Sequence, residues 1–252
     1  MPDVLAAAGS TTGLIWLVAA VIVAGLVRGF SGFGSAMIIM PVAASVLSPV
    51  QAVIFLAATE LLGPLPNLRA AWRDGAPRDV GLLMIGVILA LPLGLWCLSR
   101  LSADGFGWFI SGVVLLLLAL LISGWRYRGR LTRGLTVATG ALGGFMTGFA
   151  GIAGPPVIML YMASSLPIAT IRANFLLYLL AVDVLLFALL WLSDLMVWEI
   201  IVLGLLIGIP NLIANRLGAM LFDPAAEGVF RLVAYLVIAA SAIIGLPIWK
   251  GM

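Results

Sequence analysis

Arg28-Gly29-Phe30-Ser31-Gly32-Phe33-Gly34 and Thr147-Gly148-Phe149-Ala150-Gly151-Ile152-Ala153-Gly154-Pro155-Pro156 interrupt otherwise apolar sequence. Each cluster is followed by an apolar stretch, 35–47 or 155–166, that is too short to cross a bilayer. Crossing takes about 20 helical residues at about 1.5 Å each. Breaking a helix in lipid strands backbone N–H and C=O groups, which is tolerated only inside protein or beside a water-filled cavity. The two clusters are also copies. At an offset of 119, Gly25 matches Gly144, Gly29 matches Gly148, Phe30 matches Phe149 and Gly32 matches Gly151. The match runs on through Ile39/Ile158, Met40/Met159, Ala44/Ala163, Ser45/Ser164 and Leu47/Leu166, nine identities in 23 positions. Gly86/Gly204 and Pro92/Pro210 extend it at an offset of 118.

Composition sets the solvent. Of 252 residues, 64% are hydrophobic and 9% charged, against roughly a quarter charged in an ordinary globular domain. About 161 apolar residues fill about eight bilayer spans and leave almost nothing for a soluble domain. Besides the two short stretches, apolar runs cover 12–28, 50–68, 79–99, 106–125, 134–150, 173–193, 197–218 and 229–249. The reading is an all-α polytopic membrane protein with about eight full transmembrane helices plus two short half-helices after Gly-rich breaks. The repeat divides it into two homologous halves, 1–128 and 129–252, within one integrated membrane domain. Duplicated halves are common in transporters.

The inventory excludes several chemistries. There is no histidine, and Cys97 is the single cysteine. That rules out intrachain disulfides, His/Cys metal sites and His-based nucleophile pairs. No enzyme activity, metal or cofactor is expected, and Cys97, within an apolar run, reads as a small buried hydrophobe. Lys250, the one lysine, belongs to no phosphate loop, so an ATP-driven pump would need a separate subunit. The net charge of +3 reports orientation in a membrane and not nucleic-acid binding. The start, Met1-Pro2-Asp3-Val4, lacks the basic flank of a signal peptide.

Orientation follows from the arginines. Arg126, Arg128, Arg130 and Arg133 form the densest basic loop and are assigned to the cytoplasm. If each glycine cluster is the tip of a helical hairpin, Arg69, Arg73, Arg78, Arg172, Arg216 and Arg231 join them, leaving Arg100 and Lys250 outside with Asp194 and Glu199, and Arg28 set aside at its helix break. If each cluster only interrupts one spanning helix, the split falls from ten against two to eight against four. The hairpin reading makes the halves inverted repeats with both termini outside. Trp72, Trp108, Trp125, Trp191, Trp198 and Trp249 fall at helix ends, as an interfacial belt requires.

Candidate site residues cluster at the breaks. Helices restarting near Ser35 and Pro155 present free N–H groups and a positive dipole end, and Pro155 has the fixed φ of a first turn. Two such starts meeting near mid-membrane would bind an anion without metal, through Gly29, Ser31, Gly32, Gly34 and Ser35 on one side and Gly148, Gly151 and Gly154 on the other. The competing reading is close helix packing, since Gly25/Gly29 and Gly144/Gly148 have small-xxx-small spacing. Glu60 and Asp183 lie near the middle of apolar runs, where a carboxylate costs about 3 kcal/mol, and either can carry a proton or serve as a clasp. Arg28 and Arg172, with Asn174 two residues on, are candidate substrate ligands, because a guanidinium fork holds two oxygens at once. The bland alternative is snorkelling to lipid headgroups. Asn67, Asn211 and Asn215 either line a pathway or bridge helices.

At these residues the sequence resembles the sulfite exporter TauE/SafE family, also called the 4-toluene sulfonate uptake permease family. The two Gly-rich breaks, each with a short apolar segment after it, carry the likeness over essentially the whole chain. The first cluster, with Phe33-Gly34-Ser35, departs from the denser glycine run of many members. The resemblance implies transport of sulfite, a sulfonate or a related organosulfur acid across the bacterial inner membrane by a multi-pass protein. The resulting expectation is a secondary transporter, possible proton coupling included, working by alternating access. Its partners would be the sulfur anion, membrane lipid and a second copy of the chain. A passive anion channel and a non-transporting membrane assembly partner are the alternatives.

Overall fold

A computed structural model describes residues 13–124, 132–162, 164, 166–223 and 226–248. Arg126, Arg128 and Arg130 of the basic loop, Trp125, Trp249, Lys250, Ala163 and Met1–Val4 lie outside the described residues. Among the described residues there are eleven α-helices and no strand. They are α1 (Leu14–Ser31), α2 (Ser35–Val46), α3 (Pro49–Glu60), α4 (Leu68–Asp74), α5 (Pro77–Ser99) and α6 (Ala103–Ile122). These are followed by α7 (Arg133–Ala150), α8 (Gly154–Met162), α9 (Ile168–Leu192), α10 (Trp198–Leu221) and α11 (Glu227–Ile244).

Five of them, α1, α5, α6, α9 and α10, are long and apolar enough to cross a membrane, or six if α3 and Leu65–Asp74 make one bent span. The eight-span count is not reached by length and composition. Part of the shortfall has a local cause: α7 is diluted by glycine, threonine and Arg133. The apolar run 50–68 does not form one helix. Gly63-Pro64-Leu65-Pro66 follows α3, and two prolines this close remove helix donors and push the preceding residues out of the α region. Glu60, expected mid-helix, is therefore the last residue of α3.

The chain divides into two compact units. The first takes residues 1–62, 101–123 and 197–252, and so holds α1, α2, α3, α6, α10 and α11. Here α10 packs along α1 and α3, while α2 is enclosed by α1, α3, α6 and α11. The second takes residues 63–100 and 124–196, and so holds α4, α5, α7, α8 and α9. Within it α7 lies along α5, α9 contacts α4 and α5, and α8 packs on α7 and α9. Each unit thus draws helices from both halves of the sequence.

Burial explains how the short helices are tolerated. In α2, Ser35 and every residue from Met37 to Ala44 are buried, and in α8 Val157, Leu160 and Tyr161 are. The short helices that follow the breaks thus pack inside protein, whereas the first turn itself, at Gly32, is exposed. Element boundaries also repeat: Leu14/Arg133, Ser31/Ala150, Ser35/Gly154 and Pro49/Ile168 all lie 119 residues apart. Both breaks open on a left-handed glycine at the same offset, Gly32 at φ 78° and Gly151 at φ 68°. Side-chain-free residues take that conformation without the Cβ clash that deters others.

The surface carries aromatic side chains at helix ends. Trp72, Trp108, Trp191 and Trp198 are each more than half exposed. Trp96, which the sequence did not single out, has the Arg100 guanidinium 5.1 Å from its ring centroid. Cys97 on the same turn is only half-buried, not the core residue expected.

Candidate functional site

The first break brings three polar side chains together within the first unit. Arg28 is in the last turn of α1, and its chain reverses through Gly32 and Gly34, both left-handed, into Ser35 at the start of α2. Glu60 ends α3. Arg28 Nη1 lies 3.0 Å from Glu60 Oε2 and makes a long 3.4 Å contact with Ser35 Oγ. The two charged side chains are 21% and 17% exposed, so the pair is largely but not wholly withdrawn from its surroundings. The other carboxylate oxygen, Oε1, is buried and has no hydrogen-bond partner. Ser31 is committed locally: its hydroxyl lies 2.6 Å from the Val27 carbonyl and accepts from the Phe33 N–H at 3.3 Å. An added Cβ at Gly32 would meet nothing within 4 Å, so the turn faces open space. Phe30 packs on Phe230 with ring centroids 5.1 Å apart, fixing the end of α1 against α11.

The second break is built differently, within the second unit. The α7 terminus closes with the Gly151 N–H on the Thr147 carbonyl and the Ile152 N–H on the Met146 carbonyl, a pair of bonds that ends a helix on a left-handed glycine. Tyr178 on α9, fully buried, donates from its hydroxyl to the Ala153 carbonyl at 3.3 Å, and Asp183 lies within electrostatic reach of that hydroxyl. Asn174, also fully buried, accepts the Ala76 N–H at 2.6 Å through Oδ1. That bond fixes the amide orientation and leaves Nδ2, a buried donor, without a partner. The Tyr161 hydroxyl on α8 is likewise buried and lies beside the Asn174 side chain, outside strict hydrogen-bond geometry.

The remaining expected residues are dispersed. Arg172 is exposed on α9, two residues from buried Asn174. Asn67 is exposed and lies in the 3-10 turn before α4. Asn211 and Asn215 belong to the α10 face that packs on α1. A Cβ on Gly25 would sit 2.7 Å from the Asn211 carbonyl, and one on Gly29 would sit 2.7 Å from the Ala219 N–H. Gly148 meets α5 in the same way, 2.7 Å from the Leu95 N–H. The structure therefore puts Gly29 and Gly148 at helix crossings, while Gly32, Gly34 and Gly151 make the turns. A Cβ on Gly154 would approach Phe175 at 3.1 Å, and Pro155 beside it is half-buried in the first turn of α8.

Tyr161 and Tyr178 escaped the sequence reading. The available signal was position: tyrosines favour membrane interfaces, where the ring is buried and the hydroxyl wet. Two of the four tyrosines fall instead inside apolar segments beside the second break.

The arrangement at the first break can do one thing well. A guanidinium held by one carboxylate oxygen keeps donors for a second oxyanion. The family described as Sulfite exporter TauE/SafE matches residues 17–244, from α1 through α11. No curated protein and no solved structure matches the chain.

Proposed function

The chain belongs to the sulfite exporter TauE/SafE family, which makes it a membrane transporter of sulfur compounds, and from that premise we propose that it moves a sulfite- or sulfonate-like anion by exchanging it for Glu60 on Arg28. In the empty state Arg28 and Glu60 neutralise each other. Protonation of Glu60 removes its charge and frees the guanidinium. The anion then binds in its place, helped by the Ser35 hydroxyl and the free N–H groups at the start of α2. A monovalent anion and the proton on Glu60 travel together, so the carried state is as neutral as the empty one. The site opens to each side of the membrane in turn. The single observation that carries the reading is the 3.0 Å Arg28–Glu60 pair with its second carboxylate oxygen buried and unpartnered.

Purified protein in proteoliposomes with labelled sulfite and several alkyl sulfonates gives the test. Acid outside should drive saturable uptake above the equilibrium level. Glu60→Gln, locked in the uncharged form, should still exchange labelled for unlabelled anion but lose accumulation driven by the pH gradient. If no tested anion moves under either gradient, the substrate assignment fails. Flux that neither saturates nor runs uphill would mark a passive anion channel.

The same proposal covers the architecture. Taken with the bent α3–α4 pair, α7 and α11 bring the spans to eight, in addition to the two half-helices α2 and α8. The boundary offset of 119 supports two repeats, and the arginine distribution supports their inversion, with both termini outside the bacterial inner membrane.

A further inference from the structure

The second unit carries a feature that anion transport does not use. Between α4, α5 and α9 runs an open groove of about 1670 Å³. Small-molecule pockets usually occupy about 300–1,000 Å³, so this one is sized for something longer. Its walls are apolar, among them Val80, Met84, Leu180 and Val184, and Val184 is 58% exposed. The wall is open at Gly81, where an added Cβ would meet nothing within 4 Å. Among the described residues the only charged groups in the lining are at the α4 end, Arg69 and Arg73, with Trp72 between them. Arg73 is already shared: its Nε lies 2.8 Å from Asp74 Oδ1. Arg69 is exposed and makes no ion pair among the described residues. The result is an apolar trough with a free cation and an interfacial aromatic ring at one end.

We propose that this groove holds one anionic phospholipid, its phosphate at Arg69 and an acyl chain along Val80, Leu180 and Val184. The charge arrangement selects the occupant. A zwitterionic lipid offers Arg69 no net attraction, whereas a headgroup of net charge −1 does, at about 1 kcal/mol per arginine near the surface. Trp72, amphipathic and 67% exposed, suits the headgroup level. The inference requires only that the protein sits in a membrane and is independent of the Arg28–Glu60 exchange.

Native mass spectrometry of the full chain in neutral detergent, loaded with phosphatidylglycerol or phosphatidylcholine of matched chains, reads the site directly. The wild type should retain one phosphatidylglycerol in preference to phosphatidylcholine. Arg69→Gln should retain it about fivefold less, the loss expected for one arginine at a headgroup. Gly81→Phe, which fills the open wall, should also lose it while Arg69 remains. Equal retention of the two lipids, or retention by Arg69→Gln equal to wild type, overturns the proposal. Displacement of the lipid by millimolar inorganic phosphate would overturn it too, because it would mark a free-phosphate site in which the acyl chain plays no part.

Discussion

Arg28 and Glu60 meet with unequal capacities, five guanidinium donors against two carboxylate oxygens, yet they touch through one nitrogen and one oxygen at 3.0 Å. A bidentate fork would be stronger and would saturate the pair. The monodentate contact leaves Oε1 a buried acceptor, a deficit worth about 1–3 kcal/mol. That deficit makes the closed pair easier to open than its burial suggests. Arg28→Lys keeps the charge but loses the planar fork that holds two oxygens of an anion. Its KM in flux assays should rise about tenfold, roughly 1.4 kcal/mol, with the maximal rate changed much less. Arg28→Gln should abolish saturable flux. Should Arg28→Gln transport normally, Arg28 is only a clasp for Glu60. At the second break the corresponding change is Tyr178→Phe, which removes the 3.3 Å bond to the Ala153 carbonyl. It should lower thermal stability by about 1 kcal/mol.

At the scale of elements, much was legible and one class of contact was not. The short helices α2 and α8, the glycine turns before them and the repeat offset all follow from sequence, because glycine spacing and apolar run length encode them locally. The bend after Glu60 was also encoded, in Pro64 and Pro66, but the continuous apolar run 50–68 hid it. The partnership of Arg28 with Glu60, 32 positions apart, was not legible, since it depends on which helix ends the fold brings together. Equally hidden was the division of labour among glycines. Gly29 and Gly148 resemble Gly32 and Gly151 in sequence, yet the first two face neighbouring backbone and the second two turn the chain. Substitution should separate these roles. Gly148→Ala puts a methyl 2.7 Å from the Leu95 N–H, with no flexible side chain to yield, so α5 and α7 must move apart. A loss of about 1–3 kcal/mol is expected by thermal denaturation in detergent. Gly32→Ala meets open space and bears only the left-handed strain, about 1–2 kcal/mol, with helix packing intact. If Gly148→Ala is as stable as wild type, the α5–α7 crossing is looser than the geometry requires.

For the whole molecule, the decisive quantity is the sense of the duplication. Parallel and inverted repeats share the same boundary offsets, so the spacing of Leu14 and Arg133 supports duplication without fixing direction. Direction comes from charge: with Arg28 set aside, ten basic residues fall on one side if the repeats are inverted, eight if they are not. Equivalent positions then lie on opposite faces of the membrane. Ile15, second in α1, and Gly134, second in α7, are such a pair, and both are exposed. With Cys97→Ala removing the single native thiol, Ile15→Cys should react with a membrane-impermeant maleimide added to intact cells. Gly134→Cys, beside Arg133 on the basic side, should react only after the cells are opened. Reaction of both from the same side would make the repeats parallel. It would also remove the basis for opening the Arg28 site by exchange between two oppositely oriented copies.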